Sequence, residues 1–501
     1  MASKSAFGTR RRWLRWIIRI AVVVGIIISI TAGLIWFHRD RIAAEGRKKL
    51  AATIAETDAL DPRWRWEEIQ EDLPAIPDNQ NSIRIVSQVA DSLQGWDPYT
   101  LTIPIGEYQE DVLNGYPANR VLDDQRLALI RKGLQNREPS LAIVASLKDF
   151  PRGRATIQLA PDFVSTRFQH ALDCRAAIRL LELDIENLLD RTQIYGTVDR
   201  IQAILHAGAG LRDDPSLISQ LVRMRGRVVA VHRTERLLGM AEVRDSDLRQ
   251  LSADFKPERD ERPFLVGIRG ERASLNVLFE NLEFGRVSLA DVIASAGYMR
   301  TSKPDFSIHF AAFRYHPRLY EDHAFMLATM NEAFLIAGLP LPDQPQAWKD
   351  WDHRTRTAAA IPTVEKRLLV SFLFLSALSK VGVNALQDHA RLSCVLAALS
   401  AERFRIAQKR WPKDLQELCP AYLDKVPIDP FDGKPLKFAH RGDGIVIYSV
   451  NKDGKDDGGD VHKKSPDDVD PKDLGLCLWN PDHRHLPPEP KKKEKPENND
   501  K

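Results

Sequence analysis

Residues 17–37 read IIRIAVVVGIIISITAGLIWF, and from Ile20 to Phe37 the run carries no charge over 18 residues. At about 1.5 Å per helical residue, that stretch is roughly 27 Å long, close to the hydrocarbon thickness of a bilayer. It is apolar all round and lacks the polar stripe of a helix on the surface of a soluble protein. Arg19 lies at its edge, where a long side chain snorkels to headgroups. Trp13, Trp16 and Trp36 fall at the two interfaces, which indole rings favour. Lys4, Arg10, Arg11, Arg12, Arg15 and Arg19 crowd the N-terminal side, with no acid among the first 39 residues. The positive-inside rule therefore expects residues 1–16 in the cytoplasm, 17–37 in the lipid bilayer and the bulk of the chain outside the cytoplasm. Arg39, Arg41, Arg47, Lys48 and Lys49 follow the run, diluted by Asp40 and Glu45, and reduce this bias. A single-pass signal-anchor of the cell membrane is the expectation. A cleaved signal peptide is the rival, but the apolar core exceeds the usual ~7–15 residues and no clear A-x-A site follows.

The remainder, about 460 residues, is long enough for two or three cores. Its charges are mixed, 72 basic against 69 acidic for a net +3. That balance argues against a nucleic-acid stripe, so no nucleic-acid partner is expected. The four cysteines, Cys174, Cys394, Cys419 and Cys477, are widely spaced and fit no zinc pattern. In an oxidising compartment Cys419 and Cys477 are the best candidate pair, with free buried thiols as the alternative.

Residues 38–122 read as a helical stalk over 41–60 and then a loop-rich segment. Asp61-Pro62 precedes Trp64-Arg65-Trp66-Glu67-Glu68, a helix-start signal. Pro74, Pro77 and Asp78 mark a loop before a helix near 81–94, and 95–120 are rich in glycine and proline. Residues 123–380 repeat the helical period: Leu127, Ile130 and Leu134; then Phe168, Leu172, Ala176, Leu180, Leu183 and Leu188; then Ile201, Ile204 and Leu205; then Leu217, Leu221, Met224 and Val228. Segments of ~12–25 residues with short connectors give an array of helical hairpins, each burying a face on its neighbour. Pro257 and Pro263 are expected to break the array, with helices resuming over 264–299, 318–337 and 364–409. No strict repeat signature appears.

After Gln408 the composition changes. Arg410-Trp411-Pro412-Lys413-Asp414-Leu415 leads to Val426-Pro427-Ile428-Asp429-Pro430-Phe431-Asp432-Gly433-Lys434-Pro435. Leu436–Phe438 and Ile445–Tyr448 read as a β-hairpin. The acidic glycine-rich stretch Ser449–Asp460 closes the block. Calcium takes six to eight oxygen ligands from such flexible carboxylate-rich loops, and Asp453, Asp456, Asp457 and Asp460 supply four carboxylates. The spacing is not that of an EF-hand, and a solvated acidic turn is the alternative.

The order long helix, W-P-x-x-L turn, V-P-x-D-P-x-x-G-x-P loop, hairpin and S-x-x-x-D-G loop over roughly residues 390–461 resembles the globular end of the major pseudopilin of type II secretion systems. That resemblance implies a small α+β domain, assigned to 385–478, and calcium in the acidic loop. Asp453 matches the aspartate of the D-G step and Asp460 the later one, while Asp456 and Asp457 lie between. Asn451 stands where the family usually has glycine. Nothing ahead of Ile17 matches a pseudopilin leader, so a processed pilus subunit is not implied. The whole arrangement is similar to uncharacterised membrane-anchored proteins of planctomycete-type bacteria, from which no activity carries over.

Other constellations are weaker. His309, His316 and His323 are spaced by seven, but Pro304 and Pro317 interrupt them. His483 and His485 flank Arg484 beside Asp482. Trp348 and Trp351 suit a groove or, more commonly, a packed core. No nucleophile elbow, H-E-x-x-H or phosphate loop occurs, so no catalytic residue or organic cofactor is assigned. Residues 487–501, rich in Pro, Lys and Glu, read as a disordered tail. The expectation is a mostly α protein: one N-terminal transmembrane helix, a helical-hairpin array and a small C-terminal α+β pseudopilin-like domain. Its expected function is that of a membrane-anchored extracytoplasmic scaffold or binding protein of the cell envelope with an envelope protein partner and a structural calcium site. The alternative is a membrane-tethered envelope hydrolase.

Overall fold

The computed structural model describes residues 5–93, 96, 101–105, 108–113, 115–295, 312–359, 369–375, 377–462 and 471–488. His309 and the tail beyond Pro488 lie outside the described residues. Helices account for 67 % of the described residues, in agreement with a mostly α architecture.

Helix α1 runs without interruption over Ser5–Leu60. Within the apolar run, the Ser29 and Thr31 hydroxyls donate to the Gly25 and Ile27 carbonyls at 2.9 and 2.8 Å. Both polar side chains are thereby satisfied inside the helix, as a segment in hydrocarbon requires. None of the apolar window is buried against protein. The helix is long and apolar enough to cross a membrane. Its C-terminal half is different: Leu50 and Thr57 are buried. A Cβ at Gly46 would lie 3.0 Å from the Tyr320 Cβ, so a side chain there would have to push the neighbouring helix away by a few tenths of an ångström.

Short helices follow: α2 (Trp66–Asp72) and α3 (Ser82–Ala90). The Trp64 indole is fully buried and donates to Asp58 at 2.8 Å, fixing the turn out of α1. The segment read as loop holds a small hairpin, β1 (Thr102–Ile105) against β2 (Tyr108–Asp111). Then come α4 (Asp124–Leu134), α5 (Glu138–Ala145), α6 (Gln169–Asp190), α7 (Ile194–Ala209), α8 (Leu217–Met240), α9 (Asp245–Asp260), α10 (Pro263–Glu283) and α11 (Leu289–Ser295). The last helices are α12 (Leu319–Gly338), α13 (Gln344–Ala359), α14 (Leu369–Leu375) and α15 (Leu378–Gln408). A three-stranded antiparallel sheet ends the fold, in the order β3 (Lys437–Arg441), β4 (Gly444–Ser449), β5 (Leu474–Trp479).

Helices α6, α7 and α8 pack successively, and α8 also meets α10 and α15. Among the described residues two large apolar cores and one small cluster on the sheet's outer face result. One joins α3–α9 to the inner face of the C-terminal sheet. The other gathers the end of α1 with α10, α12, α13 and α14. Helix α15 enters both, through Leu378 and Leu386 in one and Leu392 to Phe404 in the other. The C-terminal block therefore shares its core with the array.

Three sequence expectations fail in the array, the first being Leu172, read on the inner face of α6 but 50 % exposed. Pro257 lies inside α9 rather than ending it. The turn it weakens is held by the next residue, Glu258, which accepts from Arg223 at 2.9 Å and from Arg227 at 2.7 Å. On α8, Leu221 is 37 % exposed whereas Arg223 and Arg227 are 1 and 2 % exposed. Hydropathy alone put the leucine inside. Paired acids on α9 and α15 turn the arginines inward instead, with Arg227 reaching Asp388 at 3.0 Å.

Burial works to raise the Glu258 carboxyl, but the Arg223 and Arg227 guanidinia outweigh it and hold it down to about 2, against an ordinary 4.5. With the folded value below the unfolded one, the stabilisation is complete above about pH 4.5 and is lost as pH falls towards 2. Glu258→Gln strands two buried guanidinia and should cost about 3–5 kcal/mol. Denaturant unfolding from neutral pH down to about pH 2 will show the loss at neutral pH and a shallower acid dependence in the variant.

Candidate metal centre

The C-terminal sheet is positioned by side chains that the sequence motifs supply. Asp429, fully buried in the V-P-x-D-P loop, accepts from the Ser449 hydroxyl and the Val450 and Phe431 amides at 2.8–2.9 Å. It ties that loop to the end of β4. The Trp411 indole donates to Asn480 at 2.7 Å, fastening the W-P turn to the far end of β5. Asn451 takes the left-handed conformation at φ 57°, which asparagine tolerates better than most residues. Its side chain accepts from Gln387 at 2.8 Å and donates to the Pro471 carbonyl at 2.9 Å. Asparagine thus holds a left-handed corner that glycine would also allow.

The acidic loop springs from that corner, and its carboxylates go separate ways. Asp453 accepts from the Lys455 amide at 3.1 Å. Asp456 accepts from the Tyr448 hydroxyl at 2.9 Å and the Gly458 amide at 3.0 Å, which together hold its carboxyl below the ordinary range. Asp457 pairs with Lys472 at 3.1 Å. The Asp460 amide donates to Asp473 at 3.1 Å. Among the described residues, no three of these aspartates bring ligand atoms within 4.8 Å of one another. The loop is organised instead around Asp473, an aspartate the sequence reading passed over. Its carboxylate takes the Gly459, Asp460 and Asp457 amides at 2.8, 3.1 and 3.4 Å. Gly459 sits at φ +81°, and a Cβ there would lie 2.8 Å from Val446 and 3.2 Å from the Tyr448 ring, so a side chain would be both strained and crowded.

Just past the loop, a different set of ligand-type residues does converge. Glu235 on α8, Cys477 on β5 and His462 at the loop's end place one ligand atom each within 4.8 Å of one another. Strand β5 is an edge strand, and the Cys477 amide on its open side donates to Glu235 Oε1 at 2.8 Å. A helix carboxylate thus covers an otherwise unpaired sheet edge. The thiol points to the outer sheet face among Val446, Tyr448, Val461 and Trp479. There Cys477 Sγ lies 3.5 Å from His462 Nε2 and receives Arg441 Nη1 at 3.3 Å. Arg441 is itself braced on the Gly459 carbonyl. Glu235 and Cys477 are buried and His462 is exposed. Burial raises the Glu235 carboxyl and pushes the Cys477 thiol up to about 12. Sequence spacing could not find this group, because Glu235 stands more than 200 residues before Cys477. Its one legible sign was a histidine directly after an acidic loop.

The remaining candidates resolve into packing. Cys419 and Cys477 do not pair, and all four thiols are free. The nearest acceptor to Cys419 Sγ is its own turn's Leu415 carbonyl at 3.9 Å, while Cys477 faces His462. Trp348 and Trp351 are buried at 1 % exposure and stack edge to face. His323 is a core residue between Glu283 and Asn276 at 2.8 and 3.0 Å, whereas His316 is exposed. His483 contacts its neighbour Asp482 at 3.2 Å.

Replacing Asp473 with alanine removes the acceptor of three loop amides. It should cost about 1–3 kcal/mol and open residues 452–462 to limited proteolysis. Added calcium should not restore the variant, since the stabiliser is the carboxylate itself. Melting curves with calcium or chelator check this. No family model matches the chain, and neither a curated protein nor a solved structure is similar to it.

Proposed function

We propose that the chain is a membrane-tethered scaffold or binding protein of the cell envelope, with residues 1–16 in the cytoplasm and the body beyond residue 38 on the far side. The observation that carries this reading is the contrast along α1. Its apolar half has no protein cover, and its second half is built into the body. Ile28, Leu34 and Trp36 are 62, 65 and 69 % exposed, a surface that only lipid or another apolar partner would cover. The orientation follows from the basic cluster ahead of Ile17 and the lack of acids there.

The same helix supports an uncleaved anchor over a removed signal peptide. Contacts with the body begin immediately after the run: Arg39 donates to the Phe313 carbonyl at 2.6 Å and lies 3.9 Å over its ring. Further along, Lys49 meets Glu321 at 3.0 Å and Asn331 donates to Thr57 at 2.8 Å. Cleavage near residue 38 would cut a helix at the start of its own docking surface.

A non-enzymatic role is favoured by where the ionisable groups are spent. Four buried acids, Glu182, Glu186, Glu258 and Glu402, are engaged by arginines, and two more, Asp322 and Glu235, are held by the Ser371 hydroxyl and the Cys477 amide. The partner is expected to be another envelope protein, which the exposed apolar side chains Leu172, Ile218, Leu221 and Phe284 suit. The C-terminal segment is read as pseudopilin-like on its order of turn, loop and hairpin. A calcium ion at the acidic loop would have to displace the Tyr448 and Lys472 partners of Asp456 and Asp457.

Fractionation tests the tether. Full-length protein should sediment with membranes, resist high salt and carbonate, and come out only with detergent. Ile26→Arg combined with Ile27→Arg should abolish stable insertion, because each centrally placed arginine costs about 2.5–3.5 kcal/mol on insertion scales. A reporter fused after residue 60 should be active only outside the cytoplasm. A cytoplasmic signal there, or a soluble full-length product, would overturn the reading.

A further inference from the structure

We propose that Cys477, His462 and Glu235 form a binding site for a borderline-soft divalent metal ion of the zinc class. The geometry points there first. Zinc bonds of ≈ 2.3 Å to sulfur and ≈ 2.0–2.1 Å to nitrogen at a tetrahedral angle set the two ligand atoms about 3.5–3.6 Å apart. The Sγ to Nε2 separation is 3.5 Å, so thiolate and imidazole already span one edge of that tetrahedron. The carboxylate of Glu235 stays within 4.8 Å of both. Its Oε1 is fixed by the Cys477 amide, which holds the carboxylate against the same strand position as the thiol.

The donor set decides the class of ion. One sulfur, one imidazole nitrogen and one carboxylate oxygen suit zinc and its neighbours, whereas calcium requires six to eight oxygens. Two of the ligands ride on regular elements, α8 and β5, whose relative position is fixed by the sheet-edge hydrogen bond. Only His462 comes from a loop, and that loop is anchored nearby by Asp473 through Gly459 and Asp460. The apolar wall of Val446, Val461 and Trp479 screens the sulfur side. The exposed imidazole marks the open side, where a fourth ligand from solvent completes the coordination. Arg441 donates to the sulfur and stabilises its thiolate form. On binding, the S–H proton leaves to solvent as the sulfur–metal bond forms, with no change of oxidation state.

The site does not depend on the membrane tether or on calcium in the acidic loop. The test uses the full chain in detergent, stripped with chelator and titrated with Co2+. One equivalent per chain should give the near-ultraviolet thiolate-to-cobalt charge-transfer absorption, and Zn2+ should displace it while excess Ca2+ should not. Cys477→Ser should abolish the absorption and Cys419→Ser should leave it intact. His462→Ala changes an exposed side chain, so the fold should be kept while zinc affinity falls by at least about tenfold, as loss of groups ordering a metal site typically does. No absorption in the native chain, absorption that survives Cys477→Ser, or zinc affinity unchanged in His462→Ala would each overturn the proposal.

Discussion

The neutralisation of the arginines buried along α8 is the constraint on which the rest of the molecule depends. Arg223, Arg227, Arg233 and Arg236 are all at most 9 % exposed. An unpaired guanidinium at such depth would be costly enough to unfold a protein of ordinary stability. Each therefore needs acids, and the acids come from different directions: Glu258 from α9, Asp388 from α15, and Glu182 and Glu186 from α6. Arg236 also donates to the Pro117 and Ala118 carbonyls at 3.1 and 3.2 Å. Surface pairs contribute about 0–1 kcal/mol, but breaking a buried pair costs about 3–5 kcal/mol. These pairs consequently fix the register of α6, α9 and α15 around α8 in a way that apolar contact alone does not.

Glu235 belongs to the same helix and the same logic, but its partner is an amide. By capping the open edge of β5 it attaches the sheet to the array, and it does so at the residue that carries the thiol. The C-terminal block is thus held from two sides. On its inner face Ile445, Ile447, Leu476 and Leu478 pack into the core shared with α15. At its edge a carboxylate replaces the missing strand.

Much of this architecture was legible in the chain itself. The apolar run, its continuation to Leu60 and the hairpin around Gly442-Asp443 could be read because their signals are local: hydropathy, period and turn chemistry. What escaped reading was non-local. Strand β5 follows a polar stretch and pairs with β4 from a distance, so no hairpin signal announced it. The inward face of α8 was misjudged because arginine counts as polar until its acids are known. Pro257 reads as a terminator in sequence, since the clamp on Glu258 is formed by side chains over 30 residues away. The acidic loop was recognised, but its organising residue, Asp473, lies outside it and cannot be identified by composition. The convergence of Glu235, His462 and Cys477 is of the same kind, set by tertiary packing of three separate segments.

The continuity of α1 has a mechanical corollary. Among the described residues its first side-chain contact with the body, Arg39 on Phe313, comes two residues after Phe37, and Gly46 lies close against Tyr320. Nine residues of helix from Phe37 to Gly46 rise only about 14 Å. With the proposed placement in a bilayer, no slack hinge separates lipid from protein. The molecule would then stand like a flag fixed to its pole. Its height above the headgroups and its tilt would follow those of the pole, and its freedom would be drift within the membrane plane and rotation about the pole's own axis.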